Sequence, residues 1–348
     1  MTVRCPPRGA AKRQPAGVAP GAGGRYVSLR PTSGNALSCR NKRRDGGSAE
    51  QWSGSWPWWP KATGLVTTSQ VTDASPAAFS AHVADRGQQS EIARQIIENT
   101  KVDVILGGGE DWWYPAGVEG AWPDHPSTDP TEESKGTTGN LVDRARQLGY
   151  QYVRNGDEMA AVNRGTVLGL FANEEMFEYH NEGEGDLYEP SVPLPTMSRK
   201  ALDLLSRDRD GFFLFVEEEG IDEMAHHSNA NLMIKAGTAL DDTVGIALDF
   251  AARTPGTLVL VVGDHETGGL AIENVDDADE NGVGEQSEDV IPIAGSDLKM
   301  VADWTTGGHT GAATPVTASG PGAQRLAGII KNTDVNAAVL QAMGIRRR

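Results

Sequence analysis

The stretch that decides the fold is FFLFVEEEGIDEMAHHSN, residues 212–229. Its first five residues, Phe212 to Val216, read as a short strand buried on both faces of a parallel sheet. Leu258 to Val262 (LVLVV) repeats the signal. In open α/β sheets the chemistry gathers at the carboxyl ends of such strands. One end here delivers Glu217, Asp222 and His226, and the other delivers Asp264 and His265. Carboxylates and imidazoles meeting at one sheet edge are what a zinc or magnesium site needs.

Spacing sharpens that reading. Asp222 and His226 are four residues apart, so a short helix sets both on one face, able to hold one ion together. Asp264 and His265 are adjacent and would point to opposite sides of a regular strand. They can share an ion only if the chain turns there, and Gly263 before them and Thr267-Gly268-Gly269 after them allow it. The alternative for either pair alone is an acidic helix cap beside a structural histidine.

Outward from these strands, VEEEGIDEMAHHSN (216–229), VVGDHETGGL (261–270) and GGHTG (307–311) resemble three metal-binding segments of the alkaline phosphatases. KATGLVTTSQVTDASPAAFSAHVADR (61–86) resembles the segment that supplies a magnesium ligand and the phosphate-binding arginine, and KVDVILGGG (101–109) also fits. The matches run in family order from Lys61 towards the C-terminus. The resemblance implies a three-layer α/β sandwich around a mostly parallel central sheet. It implies two zinc ions and one magnesium ion: Asp222, His226 and His309 for the first zinc, Asp264 and His265 for the second, and Asp73, Ser75 and Glu217 for magnesium. Arg86 then grips the substrate phosphate with its planar fork of donors. Ser75 stands where many members have threonine, and Glu223 where relatives often carry histidine or lysine. The implied activity is phosphate monoester hydrolysis through a phosphoserine, with paired zinc ions clamping the attacking and leaving oxygens. Homodimers and a periplasmic or secreted location are likewise implied by the family.

The first 60 residues depart from the pattern. The family places there a first strand ending in a metal-binding aspartate and an Asp-Ser-Ala segment carrying the nucleophile. Residues 1–60 hold no apolar strand followed by Asp-Gly and no Asp-Ser pair, and Ser33, Ser38 and Ser48 lie in other contexts, so no catalytic serine is assigned. The expected sheet accordingly lacks its first strand, leaving a gap or an exposed edge. Ten Lys or Arg face two Asp or Glu in this segment, a net of +8, while the remaining 288 residues carry 21 basic and 46 acidic residues, a net of −25. Cys5, Cys39 and four of the eight tryptophans also fall there. Arg, Pro, Gly, Cys and Trp have GC-rich codons and accumulate when GC-rich DNA is read out of frame. The expected division is a frameshifted or misassigned segment at 1–60 before a metal-binding domain at 61–348, with a disordered basic arm that binds nucleic acid as the rival for the first part.

Other readings set bounds. No stretch approaches 18 apolar residues, so no membrane span is expected, and Met1 to Gly17 has no apolar core for a secretory signal. The acidic body argues against nucleic-acid binding. Strands are expected at Thr63 to Thr67 and Val102 to Leu106, and helices at Pro76 to Val83, Ser90 to Asn99, Leu141 to Leu148, Met197 to Leu205 and Asn229 to Ala252. A terminal helix at Asp334 to Met343 takes Thr333 or Asp334 as its cap. Glu110 to Gly139 and the acidic Asn274 to Ser296 read as surface insertions. Within the latter, Asp277 to Glu288 satisfies the EF-hand pattern for Ca²⁺, but its apolar flanks look extended, which favours a solvated turn. Three functions stay open: a zinc- and magnesium-dependent phosphomonoesterase, a non-catalytic metal-binding remnant, and a phosphodiesterase, sulfatase or phosphomutase relative of the same fold.

Overall fold

A computed structural model describes residues 61–127, 129–178, 187–274 and 289–344, together with the backbone of 2–4 and 28–29. Its centre is a nine-stranded sheet. Five neighbouring strands run parallel, in the order Phe212–Glu217, Ala62–Gln70, Val104–Gly108, Val167–Leu170 and Gln151–Val153. Thr257–Val262 runs in the same direction, and Thr314–Ser319 pairs antiparallel with its far side. A second sheet joins Leu270–Asn274, Lys299–Trp304 and Asp289–Pro292, all antiparallel.

The continuous apolar run at 212–215 follows from burial on both faces. Phe213 and Phe215 pack on one side with Leu65, Ile105, Leu258 and Leu260. Phe79 lies against both phenylalanine rings, with centroids 5.6 and 4.8 Å away. Phe212 and Leu214 face the other side with Val66, Val104 and the helix Leu194–Leu205. That helix approaches so closely that a Cβ on Gly64 would meet Leu205 Cδ1 at 2.7 Å and Leu214 Cδ1 at 2.9 Å. Helices thus cover both faces of a mostly parallel sheet, the sandwich expected from the sequence.

Register places the chemistry. Ala62 pairs with Phe212 and Thr67 with Glu217, so the two central strands run in step to one edge of the sheet, where Ala62–Gln70 extends three residues further. From that edge the chain makes the short helix Gly220–His226 and the long helix Ala230–Arg253 before returning as Thr257–Val262. Asn229 caps the long helix, its side chain accepting from Leu232 N at 3.0 Å.

Several sequence expectations are corrected. Instead of a gap between Phe212–Glu217 and Thr257–Val262, Thr2–Arg4 pairs antiparallel with both. Two facing sheet edges with unpaired N–H and C=O groups are costly, and an extended β-branched pair such as Thr2-Val3 satisfies them. The strand runs opposite to its neighbours, with Thr2 opposite mid-strand Leu214 and Val259 and Arg4 leading away from the ligand-bearing edge. The 110–139 segment is not simply an insertion on the surface. Glu110, Asp111, Trp113 and Tyr114 are buried, and Trp113 is fully enclosed. The terminal helix spans Asn332–Ala342 with Lys331 at its cap position, and Asp334 instead accepts from Lys331 N at 3.0 Å. The helix beginning at Gln89 closes at Gln95 and continues as a π-helical turn, Ile96–Thr100. The calcium-pattern loop lies outside the described residues, and its flanks are strands.

Candidate metal centre

Asp222 stands in the first turn of Gly220–His226 and His226 in the last, an arrangement that suits the helix dipole at both ends. His226 Nε2 lies 3.5 Å from Asp222 Oδ2. The other ring nitrogen, Nδ1, lies 2.7 Å from the carbonyl of Gly307 and donates to it, which turns Nε2 into the site. Nε2 faces His309 Nε2 at 3.0 Å, and His309 Nε2 is 3.6 Å from Asp222 Oδ1. The three side chains that spacing and motif singled out therefore converge from segments more than 80 residues apart.

Asp264 and His265 share this edge because the chain turns after Gly263. Thr314 Oγ1 donates to the Gly263 carbonyl at 2.8 Å, and Glu266–Thr267 then pairs with His309–Thr310. The turn needs its glycines: Gly268 has φ +82°, and a Cβ there would meet Trp304 at 2.4 Å. His265 lies beside this group. Its ring stacks on His309 with centroids 3.6 Å apart, Nε2 is 3.1 Å from Asp264 Oδ2, and Nδ1 is 3.7 Å from Asp222 Oδ1. Asp222, His265 and His309 form the tightest set, with one donor atom of each within 4.8 Å of the others. The bond to Asp264 raises the His265 pKa, and the charge of Asp222 adds to the shift.

Candidate oxygen ligands lie alongside. Asp73 precedes the helix Ala74–Ser80 and is paired with Arg86. Glu217 accepts from Thr67 Oγ1 at 2.7 Å and from the Ser75 hydroxyl. Burial pushes its carboxyl up to about 7, with those hydrogen bonds opposing the shift and Asp73 and Asp264 adding to it. The Glu223 carboxyl is likewise raised by burial and by the charge of Asp222. Asp73, Ser75 and Glu217 are thus together, and Asp264 is near enough to bias Glu217.

Two contributors were not legible in the sequence. Thr267 donates to Asp222 Oδ1, fixing the aspartate between the histidines. Glu219 lies against Asp73. Thr267 offered a faint signal as part of the turn, whereas Glu219 was indistinguishable from its two neighbours.

The donor chemistry fits divalent cations. Imidazole nitrogens and a carboxylate on one side suit zinc, and carboxylates with a hydroxyl on the other suit a harder ion such as magnesium. Carboxylates crowded at a largely buried edge are stabilised by positive charge beyond what Arg86 supplies. His309 remains open to solvent, with 45% of its side chain exposed.

Comparison with known proteins agrees with this geometry. The alkaline phosphatase family model matches residues 59–290. Streptomycin-6-phosphate phosphatase of Streptomyces griseus is 32% identical over 82% of this chain and 69% of its own length. Alkaline phosphatase 3 of Bacillus subtilis is 28% identical over 81% and 68%. The solved alkaline phosphatase of the Antarctic bacterium TAB5 superposes with a TM-score of 0.63 at 26% identity, covering 83% of this chain and 73% of that one. A His 135 Asp mutant of the TAB5 enzyme, with Mg bound in its M3 site, gives 0.62. The fold is an α/β sandwich of the alkaline phosphatase kind, and the chain belongs to the alkaline phosphatase family.

Proposed function

We propose that residues 61–348 form the body of a zinc- and magnesium-dependent phosphate monoester hydrolase. The observation that carries this reading is the convergence of Asp222, His226, His265 and His309 at the carboxyl edge of the sheet. In this reading Asp222, His226 and His309 hold one zinc, Asp264 and His265 help hold a second, and Asp73, Ser75 and Glu217 hold magnesium. Divalent ions so held supply the positive charge that stabilises a phosphoryl group in transfer. The protein's part is to orient the ligands through Thr67, Thr267 and the Gly307 carbonyl, and to bind phosphate through Arg86. Arg86 is suited to that task, because 68% of its side chain is exposed and its present partner, Asp73, leaves other guanidinium donors to face solvent. In the same reading the protein is exported, acts as a homodimer and has no nucleic-acid partner.

The serine nucleophile is the missing part. Residues 1–60 carry no Asp-Ser-Ala segment, and we propose that they are a foreign, frameshift-like segment rather than a family N-terminus. That absence also supports the second reading, a metal-binding protein without turnover. Loss of an activated nucleophile typically costs several orders of magnitude. The test is p-nitrophenyl phosphate hydrolysis at alkaline pH with zinc and magnesium present. The polypeptide as given should turn over little or not at all, and a version carrying the Asp-Gly and Asp-Ser-Ala segments should be active until His309→Ala is added. Robust turnover by the original chain, lost in His309→Ala, would show that it contains a nucleophile of its own.

A further inference from the structure

Behind the candidate zinc ligands the chain forms a short ribbon, in which Glu266–Thr267 pairs antiparallel with His309–Thr310. His309 stands opposite Thr267, and Thr310 opposite Glu266. Opposed residues share a face of such a ribbon, and successive residues alternate. One face therefore carries Thr267 and His309, and both reach Asp222. Thr267 donates to Asp222 Oδ1, and His309 Nε2 lies 3.6 Å from the same oxygen. The other face carries Glu266 and Thr310, to which no metal-binding role has been assigned.

Glu266 is tied to both strands. Its Oε1 accepts from Gly269 N at 2.8 Å and from Leu270 N at 3.3 Å, which closes the turn after its own strand. Its Oε2 accepts from the Thr310 hydroxyl on the facing strand. This half-buried carboxylate thus joins the residue after His309 to the turn that follows His265. The two imidazoles so connected stack with centroids 3.6 Å apart.

Register is what such a clamp protects. A slip of one residue turns every side chain of a strand to the other face. A ribbon of two residues per strand has few backbone bonds to resist that, and isolated two-stranded pairs are marginal. Gly268 N donates to the Gly308 carbonyl at 3.0 Å, but this tie fixes no side chain. A slip here would carry His309 away from Asp222 and from His226, whose Nε2 it faces at 3.0 Å.

We propose that Glu266 is a positioning residue: bonded to Thr310, its carboxylate locks the ribbon register that presents His309 to the zinc shared with Asp222 and His226. The proposal rests on the zinc position assigned under Proposed function. Glu266 acts from the far face of the ribbon and holds no metal itself.

The experiment measures zinc affinity of the full chain by chelator competition, and the visible spectrum of the cobalt-loaded protein, whose bands follow ligand number and geometry. Glu266→Ala and Thr310→Val should each weaken zinc binding by about 10–100-fold, the usual effect of losing a group that orients a ligand, and should shift the cobalt bands. Thr310→Ser keeps the hydroxyl and should match the unaltered protein in both readouts. Combining Glu266→Ala with Thr310→Val should lose no more than Glu266→Ala alone, because the second change removes a bond already broken. Unchanged zinc affinity and cobalt bands in both single variants would overturn the proposal. Additive losses in the double variant would also overturn it, as would an equal loss in Thr310→Ser. His309→Ala separates this outcome from the zinc position itself. If His309→Ala binds zinc as the unaltered protein does, that position fails and the proposal with it. If His309→Ala is defective while Glu266→Ala and Thr310→Val are normal, only the proposal fails. Should Glu266→Ala not melt cooperatively, the contrast between Thr310→Val and Thr310→Ser decides.

Discussion

Thr267 shows how much of the centre depends on a side chain that holds no metal in any reading. Its hydroxyl donates to Asp222 Oδ1 and lies 3.4 Å from His265 Nδ1, so one group sets the direction of two candidate ligands. Groups that orient ligands in this way are typically worth 10–100-fold in metal affinity. Thr267→Val keeps the shape and removes the donor, so zinc affinity should fall by about that factor while the melting temperature of the metal-free protein changes little; chelator competition reads the affinity. Candidate ligands were legible where geometry is local. The i,i+4 spacing marked Asp222 and His226, and the glycines marked the turn at Asp264 and His265. His309 needed the family motif, because its contact with His226 spans 83 positions. Thr267 and Glu219 were hidden because their roles come from partners far along the chain.

At the scale of elements, strands were read from apolar runs, and the run at Phe212 succeeded because burial on both faces leaves no polar alternation to confuse it. The segment at 110–139 was misread for a related reason. Its Pro, Gly and acidic residues signal a loop, and nothing periodic announces that Trp113 fills the core beside Leu141 and Ile92. That loop start is anchored from both ends: Asp111 N donates to the Asn173 carbonyl at 3.1 Å and Leu141 N to the Trp113 carbonyl at 2.8 Å. Trp113→Ala should therefore cost about 3–5 kcal/mol, as for a large aromatic removed from a packed core. Val118, 46% exposed, lies in the part that does behave as surface, and Val118→Ala should stay within about 0.5 kcal/mol. Urea unfolding midpoints distinguish the two, and similar losses in both would mean that the segment packs as one unit.

The whole molecule carries a strong excess of acid, and some of it is buried. Burial pushes Asp111 up to about 7 against the opposing charge of Lys135, and burial likewise pushes Glu132 to about 7 against the hydrogen bond from Asn173. A carboxyl with a raised folded-state pKa binds its proton more tightly folded than unfolded. The stabilisation is fully present below the unfolded value near 4 and is lost as pH rises through 7, at no more than about 1.4 kcal/mol per pH unit for each group. The protein should accordingly be harder to unfold in urea at pH 5 than at pH 7.5, and Asp111→Asn should reduce that difference; an unchanged difference would show that Asp111 is ionised at both values. Fold class and the site-bearing edge were legible because the parallel-strand signals and ligand spacings agree. The antiparallel Thr2–Arg4 strand was not, since three residues carry no period and only the sheet's unmet edges select them. Anomalous X-ray scattering at the zinc edge, from crystals of the full chain, decides whether this edge of the sheet is a zinc centre. A zinc peak is expected about 2 Å from donor atoms of Asp222, His226 and His309. Zinc bound elsewhere, or no peak at this edge with zinc in excess, would contradict it.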